Sequence, residues 1–251
     1  MRRTSALQEG VACMRLLGRL FRRRRKVVSG GTLTPNGRLV ARKISQDETE
    51  SIRVVDRRGR SSEAEIDKSG NLSHSITGPS PRGEEGSLDV CSLLVERLNK
   101  EGSTWGRPFR PDGADRGVDC VAEDHEKKLH IQVTRIPSRS IWRKLAMLGS
   151  VGSQITVGEA AQDLFNAIQN KQSIPPHDRP AITLAIDSMD NPGHATPQVV
   201  KSFRRRYAHY VDSLGFSSVW VVGPVAAYVL RLDKGVPLHT TKAPRLNGPA
   251  A

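Results

Sequence analysis

The sequence predicts an α/β fold in which helices flank a mixed sheet, with a small β-meander and a basic tail on the amino-terminal side. Three observations predict it. Helical and strand-like patterns are mixed over residues 84–233, residues 181–187 form a continuous apolar run typical of a strand buried on both faces, and 251 residues suffice for one sizeable core. We expect four parts: a basic tail over residues 1–29, a β-rich extension over 30–78, the α/β domain over 84–233 and a disordered tail over 234–251.

The individual elements follow from periodicity and turn signals. Turn-forming residues divide the extension into weak hairpins, with predicted strands over residues 38–44, 51–56, 62–67 and 71–76. A linker is expected over residues 78–83. The predicted order of the α/β domain is helix 84–100, a strand near 104–110, a hairpin of strands 117–123 and 129–136, helices 138–148 and 158–171, strand 181–187, helix 196–214, and strands 219–222 and 226–232.

Positive charge is concentrated near the amino terminus. The chain has 39 Lys and Arg against 26 Asp and Glu, a net charge of +13, and residues 1–26 alone contribute +8. This balance predicts a polyanionic partner, either nucleic acid or an acidic membrane surface. The segment is either disordered or a short amphipathic helix, and its candidate nucleic-acid contacts are Arg22, Arg23, Arg24 and Arg25.

The cysteines and the hydropathy of the chain indicate the cellular compartment in which the protein is expected. Cys91 and Cys120 fall in apolar patterns, and neither they nor Cys13 form a CxxC pair, so they are predicted to be buried thiols. Without a disulfide framework, a reducing, cytoplasmic location is expected. No run of 18 apolar residues exists, so no membrane span is predicted, and no signal peptide is recognisable.

Polar side chains of two neighbouring strands fall on one face of the predicted hairpin. Because side chains alternate along a strand, Asp119 lies opposite the apolar face that includes Cys120. In the next strand, Gln132 and Thr134 likewise lie opposite the apolar face. Glu85 adds a carboxylate from the preceding helix, in phase with its apolar stripe. The sequence therefore predicts a polar site where these elements converge.

The chain resembles the PD-(D/E)XK superfamily of nucleases, most closely its Mrr-type branch. The resemblance lies in three motifs: a helix with a glutamate, a strand that starts with Gly-Val-Asp, and a strand with the pattern hydrophobic-Gln-hydrophobic-x. The resemblance covers roughly residues 84–232 and implies a restriction-endonuclease-like fold. It also implies hydrolysis of DNA phosphodiester bonds with Mg²⁺ or Mn²⁺, in a restriction or defence setting; a homodimer is one option for the assembly. Carried over by position, Asp119 is the principal metal ligand, Glu85 the helix carboxylate and Gln132 the second ligand position. Glu84 or Asp89 replaces Glu85 if the helix phase differs.

Thr134 departs from the family pattern, which has lysine at this position to position and deprotonate the attacking water. Threonine carries no positive charge, so two interpretations stay open. In one, a cation comes from elsewhere, with Lys171 as the main candidate and Arg135 and Lys144 as the others. In the other, the site is inactive and the protein only binds nucleic acid.

Ordinary structural roles are also open for these candidate site residues. Gln132 and Thr134 also fit an ordinary half-exposed strand, and Asp119 fits a turn cap. Arg204 and Arg205, on the predicted helix 196–214, are either contacts to a phosphate backbone or part of a solvated helix face.

Overall fold

The computed structural model describes residues 28–34, 37–45, 49–79, 86–111, 118–136 and 139–233. This part of the chain forms two sheets and four α-helices, which confirms the mixed α/β class. The strands are β1 (Val28–Leu33), β2 (Leu39–Ile44), β3 (Glu50–Val55), β4 (Ser61–Ile66), β5 (Asn71–Thr77), β6 (Cys120–Asp124), β7 (Lys127–Arg135), β8 (Ser150–Thr156), β9 (Ile182–Asp187), β10 (Ser218–Val222) and β11 (Val229–Arg231). The helices are α1 (Ser87–Lys100), α2 (Arg139–Leu148), α3 (Val157–Gln169) and α4 (Pro197–Ser213).

The first sheet is an antiparallel meander of six strands in the order β1-β2-β3-β4-β5-β8. Its inner face buries alternate residues, among them Ile52, Ile66 and Leu72, while the intervening side chains face solvent. Four of the strands match the predicted hairpins. β1 begins at Val28, inside the segment predicted as a tail.

β8 joins the two predicted parts of the chain. It lies within the segment assigned to the α/β domain, yet it pairs with β5 along its whole length, from Asn71 opposite Thr156 to Thr77 opposite Ser150. One hydrophobic core contains inner-face residues of the meander together with residues of α3, α4, β9 and β10. The extension and the α/β part therefore share both a sheet and a core.

The second sheet has the order β11-β10-β9-β7-β6, with β7, β9 and β10 parallel and the two edge strands antiparallel. The central strand β9 is buried at all six positions because helices cover both faces. On one face α1 packs through residues such as Leu94 against Ile131 and Ala185. On the other face lie α3 and α4.

Local signals set the ends of the helices. α1 ends where Gly102 adopts a φ of 104°, which glycine alone adopts without strain. α3 begins with a capping box in which Thr156 and Glu159 satisfy each other's backbone N–H groups. α4 begins with Pro197, as predicted. None of the described helices is long and apolar enough to cross a membrane.

The structure differs from the sequence-based expectation at three segments. Residues 150–156, for which no element was predicted, form β8. The expected strand near residues 104–110 is reduced to one antiparallel bridge between Phe109 and Val121. The expected strand over residues 226–232 divides into a 3-10 turn, Ala226–Tyr228, and β11.

Cys91 of α1 and Cys120 of β6 are joined by a disulfide, with their Cα atoms 6.6 Å apart. Both are fully buried, as expected, but the prediction of free thiols is wrong. The two positions are 29 residues apart, and only the packing of α1 on the sheet brings them together. Cysteine usage therefore no longer indicates a reducing compartment.

Candidate functional site

The predicted site forms around Asp119, which lies directly before β6. Its backbone N–H donates to Ile131 O at 2.9 Å, so Asp119 continues the antiparallel pairing of β6 with β7. Its carboxylate Oδ2 accepts hydrogen bonds from Gln132 Nε2 at 2.6 Å and from the Val133 backbone N–H at 2.7 Å. The fold thus brings Asp119 and Gln132 into direct contact and fixes the orientation of the carboxylate.

The second carboxylate oxygen of Asp119, Oδ1, has no hydrogen-bond partner among the described residues. Asp119 lines a pocket of about 180 Å³ together with Ser87, Arg110, Pro111 and Val118. That volume is well above the roughly 30 Å³ share of a single water in the liquid. The lining residues thus include one acidic, one basic and one hydroxyl-bearing residue.

Arg110 and Ser87 were not identified from the sequence. Arg110 follows Phe109, whose backbone exchanges two hydrogen bonds with Val121 of β6, at 2.9 and 2.8 Å. This bridge places Arg110 beside the start of β6. The expected strand near residues 104–110 was the signal that could have identified it. Ser87 lies at the pocket because α1 begins at this residue, three residues later than predicted.

Thr134 shares the side of β7 that carries Gln132, since these residues pair with Ile186 and Leu184 of β9 and both partners belong to the core on the α3 side. Arg135 lies on the other side and forms an ion pair with Asp187 at 2.9 Å. Lys144 is exposed on α2, which packs on β8. Neither cation is placed beside Thr134.

Lys171 lies at the wrong end of the sheet to replace the missing lysine. The connection between the parallel strands β7 and β9 contains α2, β8 and α3, and α3 is its last helix, so the chain after α3 leads to the amino end of β9. Arg179 ties residues after α3 to this end, because its guanidinium donates to Gln172 O at 2.8 Å and its carbonyl accepts from Ser217 N. Thr134 pairs with Ile186, near the opposite end of β9. The structure does not bring Lys171 and Thr134 together.

Several predicted residues lie outside the described part of the chain: Glu84, Glu85, Arg22, Arg23, Arg24 and Arg25. Asp89, the other candidate for the helix carboxylate, is described and lies in the first turn of α1. Burial raises the pKa of Asp89, against the opposing effect of Arg38, and Asp187 and Arg57 also act on it. Its electrostatic neighbours are therefore different from the residues that line the Asp119 pocket.

A metal at this pocket would rest on few protein ligands. Within the described ranges, no three His, Cys, Asp or Glu side chains cluster as a metal site. Mg²⁺ nevertheless requires only one or two carboxylates, because waters and substrate phosphates complete its octahedron. Asp119 Oδ1 meets this minimal requirement, so the residues present fit a metal held mainly by water and substrate.

The two arginines predicted on α4 have different surroundings. Arg204 Nη2 and Nε donate to the carbonyl of Arg231 at 2.8 and 3.2 Å, which ties α4 to β11. Burial lowers the pKa of Arg204, against the pull of Asp233. Arg205 is exposed. A role for Arg204 in packing is therefore visible, whereas a phosphate contact by either residue stays a prediction.

Known proteins offer no guide to this site: no family model, curated protein or solved structure shows a significant match to the chain.

Proposed function

We propose that the chain is a metal-dependent nuclease that hydrolyses phosphodiester bonds of DNA, with Asp119 as the ligand of Mg²⁺ or Mn²⁺. The observation that carries the proposal is the fixed carboxylate of Asp119, a residue that lines the pocket. Its Oδ2 is held by Gln132 and the Val133 N–H, and its Oδ1 has no hydrogen-bond partner among the described residues. The antiparallel β6–β7 pair beside α1, followed by the parallel strand β9, is compatible with the nuclease-like arrangement expected from the sequence.

The protein side chains have distinct parts in this proposal. Asp119 holds the cation, and Gln132 holds Asp119 in one orientation by its 2.6 Å hydrogen bond. Arg110 supplies positive charge beside a phosphate in the pocket. When bound, the metal polarises a phosphoryl oxygen and lowers the pKa of a coordinated water. Among the described residues, Thr134 is not one that lines the pocket, and its hydroxyl supplies no charge.

A second candidate function is nucleic-acid binding without hydrolysis. It is favoured by Thr134 at the lysine position together with the placement of Lys171 at the far end of the sheet. Without a cation next to the attacking water, the charge that develops on phosphate is stabilised less. The two candidates share the same pocket and differ in whether cleavage occurs.

The test is a plasmid-cleavage assay with Mg²⁺ or Mn²⁺, combined with calorimetric titration of the metal. We expect Asp119→Asn to reduce both metal affinity and cleavage by about a hundredfold or more, because it removes the anionic ligand at nearly constant shape. Glu123→Gln is the matched control, since Glu123 is an exposed carboxylate at the far end of β6. Thr134→Lys should raise the cleavage rate by restoring a cation beside the water.

Two results would contradict hydrolysis at this site. If Asp119→Asn cleaves like wild type, Asp119 is not the ligand. If wild type and Thr134→Lys are both inert on DNA and RNA with either metal, the catalytic proposal fails and the binding function is the one that stands.

A further inference from the structure

The Cys91–Cys120 disulfide lies next to the Asp119 pocket. Cys120 directly follows Asp119 in the chain and begins β6, while Cys91 lies one helical turn after Ser87 on α1. Cys120 Sγ is 3.7 Å from the carbonyl oxygen of Ser87, and both Ser87 and Asp119 line the pocket. The bond therefore joins the two elements that supply these lining residues.

The first turn of α1 has no side-chain cap. Gly86 stands at the N-cap with a φ of 110°, and no side chain accepts a hydrogen bond from the first turn there. Residues 87–89 are only partly buried, and full burial begins at Val90. Because an uncapped helix end frays readily, the bond to Cys120 is an important restraint on the position of Ser87.

The rest of the site is held independently of the disulfide. The Asp119 backbone N–H donates to Ile131 O, and its carboxylate accepts from Gln132 and from the Val133 N–H, so β7 fixes this residue. The later turns of α1 are anchored by buried side chains such as Leu94. Opening the disulfide would therefore release the start of α1 while Asp119 and the body of the helix stay in place.

We propose that the Cys91–Cys120 disulfide regulates the Asp119 pocket. When a dithiol reductant opens the bond, the first turn of α1 unwinds, Ser87 leaves the pocket and ligand binding there weakens. The inference rests on the proposed function for the identity of the ligand, a divalent metal ion. The unwinding of the first turn does not depend on that function.

The reduction is a thiol–disulfide exchange. One thiolate of the dithiol attacks one sulfur of the bond, and the other sulfur leaves as a thiolate and takes up a proton. The second thiol of the reductant then displaces the first cysteine, so the reductant ends as a disulfide and Cys91 and Cys120 end as two thiols. Both cysteines are fully buried, so the dithiol reaches them only when the start of α1 opens, the movement that reduction then favours.

The test compares the full chain before and after treatment with dithiothreitol, which is then removed under argon. Titration of thiols in denaturant defines the two states: Cys13 is the third cysteine, so one thiol is expected with the bond closed and three with it open. Hydrogen–deuterium exchange should become about tenfold faster at the amides of residues 90–92 and stay unchanged in β7. Calorimetric titration with Mn²⁺ should show an affinity about fivefold lower in the reduced chain.

The double variant Cys91→Ala, Cys120→Ala is the control. It should match the reduced chain in both measurements and show no response to dithiothreitol.

Three results would overturn the proposal. They are unchanged exchange at residues 90–92 on reduction, faster exchange throughout β6 and β7, which would show that the bond only stabilises the whole fold, and equal Mn²⁺ affinity in the two states. Failure of the proposed function gives a different result, because the oxidised chain would then neither bind Mn²⁺ nor cleave DNA. In that case the exchange at residues 90–92 still decides whether the disulfide holds the start of α1.

Discussion

His74 makes the stability of the protein depend on pH over a defined range. It lies on the inner face of β5, and its Nε2 is 3.3 Å from the Asp190 carbonyl, in the contact between the meander and the segment that follows β9. Burial, together with the proximity of His194, lowers the pKa of His74 from 6.5 to about 4. The folded protein therefore keeps His74 neutral at pH values where the unfolded chain protonates it.

The sign and size of the effect follow from proton linkage. Because the folded-state pKa is depressed, the stabilising contribution is complete above pH 6.5 and is lost as the pH falls towards 4. The full loss is about 3 kcal/mol, from 1.36 kcal/mol for each pH unit between the two pKa values. His74→Gln retains a side-chain donor for the Asp190 carbonyl but does not titrate, so this contribution should disappear from its pH profile.

Urea unfolding followed by circular dichroism at a series of pH values between 4 and 7 measures this contribution as the difference between wild type and His74→Gln. Other titrating groups cancel in that difference. His177→Gln is the control, because His177 is an exposed histidine. If wild type and His74→Gln lose stability in parallel between pH 6.5 and 4, neutral burial of His74 is not the cause and the reasoning is refuted.

Two further predictions concern packing. Cys91→Ala should lower the free energy of unfolding by about 3–4 kcal/mol in the chain-entropy model, because it opens a loop closed across a separation of 29 residues. Urea unfolding of the oxidised wild type and of the variant measures this difference. Equal urea midpoints for the two proteins would contradict the prediction. Gly193→Ala should cost about 1–3 kcal/mol, because its Cβ would lie 2.6 Å from Leu72 Cδ1 and 3.1 Å from Ala64 Cβ in a closed core. Gly31→Ala is the control, because its Cβ would meet only Leu39 Cδ1 at 3.8 Å. Thermal unfolding compares the two variants. Equal melting temperatures would show that the core has room for a methyl group at position 193.

The sequence predicted those elements whose own residues decide their structure. β9 is an uninterrupted apolar run, and α1 carries an apolar stripe that ends at a glycine, so both were predicted within a few residues. β8 was not, because its residues are mostly exposed and give no alternation. Pairing with β5 makes it a strand, and such pairing depends on tertiary structure.

The same distinction applies to the site. Asp119 and Gln132 could be paired in advance, because they belong to two strands of one hairpin, and alternation along a strand fixes their faces. Lys171 was misplaced, since sequence position alone does not show which end of the sheet a crossover helix reaches. The Cys91–Cys120 disulfide and the contact of Arg57 with Gly37 join separate elements, so local patterns contain no sign of either.

The start of α1 is tied to the Asp119 pocket. Ser87, the first residue of this helix, lines the pocket together with Asp119. The Cys91–Cys120 bond joins the same helix to β6, the strand that directly follows Asp119. A ligand in the pocket would therefore contact two elements that a covalent bond holds together.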